Sequence, residues 1–123
     1  MILVDTSVWI DHLRANDPVL AGILNNGGVL MHPFVLGELS LGSIRQRDVV
    51  LEALSGLPRA NQANDAEVLL FITQKTLFGL GIGYIDAHLL AAVRLTPDAS
   101  LWTRDKRLLA AAQRLNLAAH SVH

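Results

Sequence analysis

The chain contains no cysteine. Disulfides, thiolate metal sites and a cysteine nucleophile are therefore excluded, while the compartment is left open. Nor is there an uninterrupted apolar stretch of about eighteen residues, the length a membrane-spanning helix needs, so no membrane association is expected. Excess charge of one sign is also missing: ten Lys and Arg stand against eleven Asp and Glu, for a net charge of -1. A nucleic-acid binder usually shows its electrostatic footprint as surplus cations, and this chain as a whole does not. Five histidines include no His-x-x-x-His pair, and His88 lies two residues from Asp86, on another side of any helix they share. His12, His32, His88, His120 and His123 are accordingly read as non-ligands. Gly79, Gly81 and Gly83 do not follow a strand with dinucleotide-binding spacing and read as a helix break.

What the chain does have is apolar mass. Hydrophobic residues make up 51% of 123 positions, enough for one compact domain spanning 1–123, with no Pro/Ser/Gly linker to divide it. Such a share leaves apolar helix surface for a partner. The opening segment carries Asp5 where a secretory core would run, so no signal peptide is expected and the protein is read as cytoplasmic.

Ile2, Leu3 and Val4 read as a short buried strand of the parallel-sheet kind, with Asp5 at its carboxyl end, where open α/β sheets bind ligands. Three further acids have apolar neighbours at helical spacing. Glu38 is flanked by Phe34, Val35, Leu41 and Gly42, Asp86 by Ile82, Gly83, Leu89 and Leu90, and Asp105 by Leu108 and Leu109. All are expected to face inward. A buried carboxylate costs several kcal/mol, to order of magnitude, unless it is paired or bound to metal. Each acid also has an ordinary structural use. Asp5 suits a helix N-cap, Asp105 a first helical turn after a Thr103 cap, and Glu38 and Asp86 suit salt bridges to Arg45 and Arg94. One shared site accounts for all four at once. Four converging carboxylates fit a hard divalent cation with oxygen ligands, magnesium or manganese rather than zinc.

Local cations occur near two of these acids: Arg45 and Arg47 after the Glu38 helix, and Arg104, Lys106 and Arg107 around Asp105. Their ordinary use is a solvated helix face, and their position makes them candidate phosphate contacts. Between the acids, strands and helices alternate. Helices are expected over 6–15, from Pro18 after an Asp17 cap, over 33–41, 43–57, from an Asn64/Glu67 capping box to about Phe78, over 84–95 and over 105–115. Strands are expected at 29–31, 99–103 and 118–122. The pattern is that of an α/β sandwich with a mainly parallel sheet.

Asp5-Thr6-Ser7-Val8-Trp9-Ile10, Glu38-Leu39-x-x-Gly42, Gly83-Tyr84-Ile85-Asp86-Ala87-His88-Leu89-Leu90-Ala91 and Thr103-Arg104-Asp105-Lys106-Arg107-Leu108 together resemble the PIN-domain ribonucleases, and more narrowly the VapC-type toxins of toxin–antitoxin pairs. No single motif is specific; the four in order span essentially the whole chain, and 43–78 matches in length and helical character alone. The resemblance implies a three-layer sandwich with about five mainly parallel strands. It implies a magnesium-dependent endoribonuclease cutting a structured RNA, with Asp5, Glu38, Asp86 and Asp105 as the acidic pocket and Ser7 and Thr103 supporting it by hydrogen bonds. It also implies a cognate antitoxin and a homodimer.

Two other classes fit less well. A phospho-acceptor enzyme of the haloacid-dehalogenase type would want Asp at position 7, where Ser7 stands, and a receiver domain would want paired acids before its acceptor strand and a lysine on a late strand, a pattern this chain does not fit. A catalytically silent PIN-like binding module would have no need of all four acids.

Overall fold

In the computed structural model, residues 1–120 and 122 are described. The elements run β1 (Ile2–Val4), α1 (Thr6–Ala15), α2 (Pro18–Asn25), β2 (Val29–Leu30), α3 (Pro33–Ser40), α4 (Arg47–Ser55), α5 (Asp65–Gln74), α6 (Tyr84–Leu95), β3 (Ser100–Trp102) and α7 (Lys106–Arg114). Each strand feeds a helix that begins within a few residues, the connection parallel strands require.

The sheet has the order β2-β1-β3, all parallel. Ile2 pairs with Val29 and Ser100, and Leu3 with Leu30 and Leu101. The resemblance implies about five strands; among the described residues three form. The two outer positions shrink to single-residue parallel bridges, Met31 with Arg59 and Leu101 with Ala118. On one edge Pro58 supplies a carbonyl to Met31 but has no N–H to extend the ladder. On the other, the strand expected at 118–122 reduces to the Ala118 bridge, and Ser121 and His123 lie outside the described residues.

The hydrophobic cluster is built on the strands. Leu3, Val4 and Leu101 are fully buried, as are Val8, Leu20, Val35, Leu89 and Leu90 from the covering helices. Helix α6 is buried from Ala87 to Val93 without interruption, so it runs through the core and carries its functional group at its N-terminus. Expected starts at Asp17-Pro18 and Asn64/Glu67 form as read, with both halves of the Asn64 capping box present. Two helices are shorter than expected. α4 waits for Gln46, in the left-handed region at φ 52, and α5 ends at Gln74, before Thr76 at φ 53.

Candidate active site

The four acids arrive from four elements at the carboxyl edge of the sheet. Asp5 follows β1, Glu38 rides on α3 after β2, Asp105 follows β3, and Asp86 sits in the first turn of α6. Their nearness is registered in Asp86. Burial pushes its carboxyl above the usual range, and the negative charges of Asp5, Asp105 and Glu38 push it further up, while a hydrogen bond from the Gly83 amide opposes them.

Burial differs from the expectation that all four face inward. Only Asp5 is buried, at 7% exposure; Asp86 is half-buried, and Glu38 and Asp105 are exposed. The reason lies in their neighbours. Phe34 and Leu41, one turn either side of Glu38, are themselves exposed, so that face of α3 looks outward. Asp105 is the residue at which the chain enters α7, an end that opens to solvent.

The structural uses read for Asp5, Glu38 and Asp86 do not form, although Asp86 accepts the amide at the start of its own helix. Asp5 precedes α1, yet its side chain caps no amide of that helix. Its Oδ2 instead accepts the hydroxyls of Ser7 and Thr103, both at 2.8 Å. Thr103 is itself 1% exposed and accepts the Asp105 amide at 3.1 Å, which ties the ends of β1 and β3 together through one hydroxyl. Ser7 Oγ accepts the Arg104 amide at 3.0 Å. Both supporting residues therefore touch the most buried acid. Glu38 makes no ion pair among the described residues; its Oε1 accepts Thr6 Oγ1 at 2.7 Å. Asp86 Oδ2 accepts the Gly83 amide at 3.0 Å, and no ion pair to Arg94 forms. Asp105 does cap its helix, with Oδ1 accepting Arg107 and Leu108 amides at 2.9 and 3.1 Å.

A common design emerges. In each carboxylate one oxygen is held by donors of the protein, and the other accepts no hydrogen bond among the described residues. Such a set offers anionic oxygens, with neither sulfur nor imidazole, which fits a hard divalent cation. Among the described residues no three acidic or histidine side chains are gathered at coordinating spacing; the four acids share one edge of the sheet and one electrostatic field rather than a closed cage.

The cations divide into two groups. Arg104 reaches back to Asp11 at 2.6 Å and Asp17 at 2.5 Å and lies 5.6 Å from the Trp102 ring. The hydrogen bond from its guanidinium holds the Asp17 carboxyl below the usual range. Arg47 pairs with Asp48 and donates to the Ser40 carbonyl at the end of α3. Arg104 and Arg47, read in sequence as candidate phosphate contacts, are thus engaged in structural bonds. By contrast, Lys106 and Arg107 join Arg114 and Leu80 around a cleft of about 310 Å³, and Arg45 lines a groove of about 360 Å³ with Glu38, Ile10, Leu13 and Ile44. Gly81, at φ +78, leaves room for Arg107: a Cβ there would come within 2.6 Å of its guanidinium.

Several residues of this neighbourhood are not singled out by the sequence. Thr6 orients Glu38, and a hydroxyl directly after Asp5 is the available signal. Asp65 accepts the Tyr84 hydroxyl at 2.7 Å, which raises the Tyr84 pKa. That contact joins α5 to α6 across nineteen positions, and no local pattern announces it.

Comparison with known proteins gives the family. The PIN domain family matches residues 2–114. Two curated relatives, each named Ribonuclease VapC32, from Mycobacterium tuberculosis strains CDC 1551 / Oshkosh and ATCC 25618 / H37Rv, are 52% identical over 111 residues, covering 90% of this chain and 90% of theirs. No solved structure matches. With a family match over nearly its whole length and half its residues shared with such relatives, the chain belongs to the PIN-domain family, among the VapC-type ribonucleases.

Proposed function

We propose that this protein is a magnesium-dependent endoribonuclease, with manganese able to substitute, acting as the toxin of a cytoplasmic toxin–antitoxin pair. The observation that carries the reading is the charge that Asp5, Glu38 and Asp105 exert on Asp86 at one edge of the sheet, with no ion pair to any of the four among the described residues. Relatives named as ribonucleases support it.

Asp5, Asp86 and Asp105, with Glu38, would hold the cation through their outward oxygens. When bound, such an ion lowers the pKa of a water and stabilises charge on the leaving oxygen. The chain's own residues do the positioning. Thr103 and Ser7 fix the Asp5 carboxylate, and the Gly83 amide fixes Asp86. Glu38, more exposed and held by the Thr6 hydroxyl, is suited to orient the attacking water or take its proton. Lys106 and Arg107 supply positive charge for the RNA phosphates beside Asp105.

Two partner readings accompany this function. The groove between α1 and α3, lined by Ile10, Leu13, Leu39 and Ile44 and reaching Glu38, suits an apolar antitoxin segment whose Arg would enter the acidic pocket. Exposed Val49, Leu69, Leu70 and Phe78 suit a homodimer. A catalytically silent binding module is the competing reading, and it gives no reason for four acids with no ion pair among the described residues.

The test is cleavage of RNA by purified protein with magnesium, with chelator, and after Asp5→Asn. Metal-dependent cutting that disappears in the variant is expected. Equal cutting after chelation would refute the mechanism, and absence of cutting under every metal condition would favour the silent module.

A further inference from the structure

Phe34, Phe78 and Tyr84 are 38, 64 and 45% exposed, whereas Trp9, Phe71 and Trp102 are buried. Two of these three exposed rings lie on the helices that carry the site. Phe34 is one turn before Glu38 on the same face of α3, and Tyr84 opens α6 one turn before His88, on the side of that helix next to the one that carries Asp86. Both pack edge to face against His88, which is 4% exposed: the centroid distances are 4.7 Å for Phe34 and 4.6 Å for Tyr84. Beneath Phe34, at 5.2 Å, lies the buried ring of His32.

We propose that Phe34 and Tyr84, set on either side of His88, form a stacking platform for an unpaired base next to the scissile phosphate. This rests on the ribonuclease reading and adds to it two residues that would contact a base.

Three observations carry it. The rings are fixed in advance, Phe34 by His32 and His88, and Tyr84 by His88 and by its hydrogen bond to Asp65, so little freedom is lost when a base arrives. They remain partly in water, where packing alone gains least from an aromatic ring. And a pocket of four acids repels a polyanion, so the RNA must be held by groups beside it. Lys106 and Arg107 can hold phosphates; a base needs an apolar face. Stacking on aromatic rings tolerates any base but demands that it be unpaired, which selects loops and single strands over duplex.

The experiment uses RNA hairpins with randomised loops, cut by the full chain with magnesium and sequenced to locate the scissile bond. A hairpin that is cut is then remade with an abasic nucleotide on either side of that bond, and once more with the loop closed into duplex. For the unmodified protein, one abasic position should lower kcat/KM about tenfold or more, mainly through KM, and the duplex should resist cleavage. Phe34→Leu should show the same loss on intact RNA and almost no further loss on the abasic RNA, because both changes remove one contact. Tyr84→Leu should show a loss of the same kind, and Tyr84→Phe, which keeps the ring but drops its bond to Asp65, a smaller one.

Equal cleavage of intact and abasic RNA by the unmodified protein overturns the platform and leaves the nuclease reading standing; that comparison holds even if Phe34→Leu does not fold. Losses from Phe34→Leu and the abasic site that multiply also overturn it. An unmodified protein that cuts none of these RNAs overturns the nuclease reading and the platform with it.

Discussion

Replacing Asp86 with Asn removes one negative charge from the acidic edge with almost no change of shape, and the structure fixes the sign of the result. In the native protein, burial and the charges of Asp5, Asp105 and Glu38 all raise the Asp86 pKa, and only the Gly83 amide opposes them. A carboxyl whose folded pKa lies above its unfolded value contributes stability below the unfolded value, which is lost as pH rises through the folded one. At neutral pH the metal-free protein therefore carries a penalty that the Asp86→Asn variant would not. A like charge at ~7 Å in an effective dielectric of ~40 costs about 1 kcal/mol. Because Asp86 is half in solvent, screening reduces the net effect of its three neighbours to about that size in total. An Asn side chain can still accept the Gly83 amide, so the first turn of α6 should survive. Urea melts without metal should show the variant equal to the native protein or more stable by about 1 kcal/mol. With magnesium at about ten times its dissociation constant, the native protein should gain about 1.4 kcal/mol and the variant much less. A metal-free variant destabilised by about 3 kcal/mol or more, the cost of breaking a buried ion pair, with an undiminished magnesium response, would refute the assignment.

Thr103→Val should cost about 2 kcal/mol in denaturant melts, since a fully buried hydroxyl that donates to Asp5 and accepts from Asp105 loses both bonds, and it should weaken metal binding in titration calorimetry. Burial, aided by His88 and Arg59, holds the His32 imidazole down at about 4 against an ordinary 6.5. The unfolded chain then takes up its proton first, so stability should fall as pH drops from about 6.5 to 4, by at most about 3 kcal/mol. His32→Asn keeps an acceptor for the Phe34 amide, and melts across that range should show a flatter profile; an unchanged slope would place the acid sensitivity elsewhere. Arg104→Ala should cost about 1 kcal/mol through lost packing on Trp102 and lost pairing with Asp11 and Asp17, leaving KM for RNA near the native value. Lys106→Ala with Arg107→Ala should instead raise KM and flatten its salt dependence, measured in steady-state cleavage.

How much of this is legible in the sequence depends on whether the signal is local. An apolar triplet ending in Asp5 marks strand and site together, and Asp17-Pro18 and Asn64 with Glu67 announce their helices because caps are satisfied within a turn. Glu38 shows the limit. Its neighbours at helical spacing are apolar, yet apolar residues also occupy surfaces, and Phe34 and Leu41 do so here. The sheet edges are unreadable for a similar reason: whether a segment pairs over several residues or at Arg59 alone depends on the donor that Pro58 lacks and on the neighbour it meets. The ion pairs of Arg104 are not legible because Asp11 and Asp17, its partners, are distant in sequence by more than eighty positions. The nearness of the four acids is not local in sequence either, and what the structure shows of it is the charge effect of Asp5, Asp105 and Glu38 on Asp86.

The fold also tolerates the charge cluster without metal for an identifiable reason. Three of the four carboxylates stand at helix N-termini: Asp5 immediately before α1, Asp86 in the first turn of α6, and Asp105 as the cap of α7. Unpaired amides and the helix dipole favour negative charge there, each by about 0.3–1 kcal/mol. That is comparable in size to the repulsion among the acids, so no lysine or arginine is needed to neutralise them, and their outer oxygens are left for other ligands. Glu38 is the exception. It sits well inside α3, beyond the reach of that helix's free amides, and its side chain is held by the Thr6 hydroxyl. A longer side chain can follow a ligand through small displacements that the shorter aspartates cannot. The architecture therefore assigns rigidity to the three Asp positions and adjustability to the Glu, which is the division of labour expected if the first hold an ion and the last handles a water.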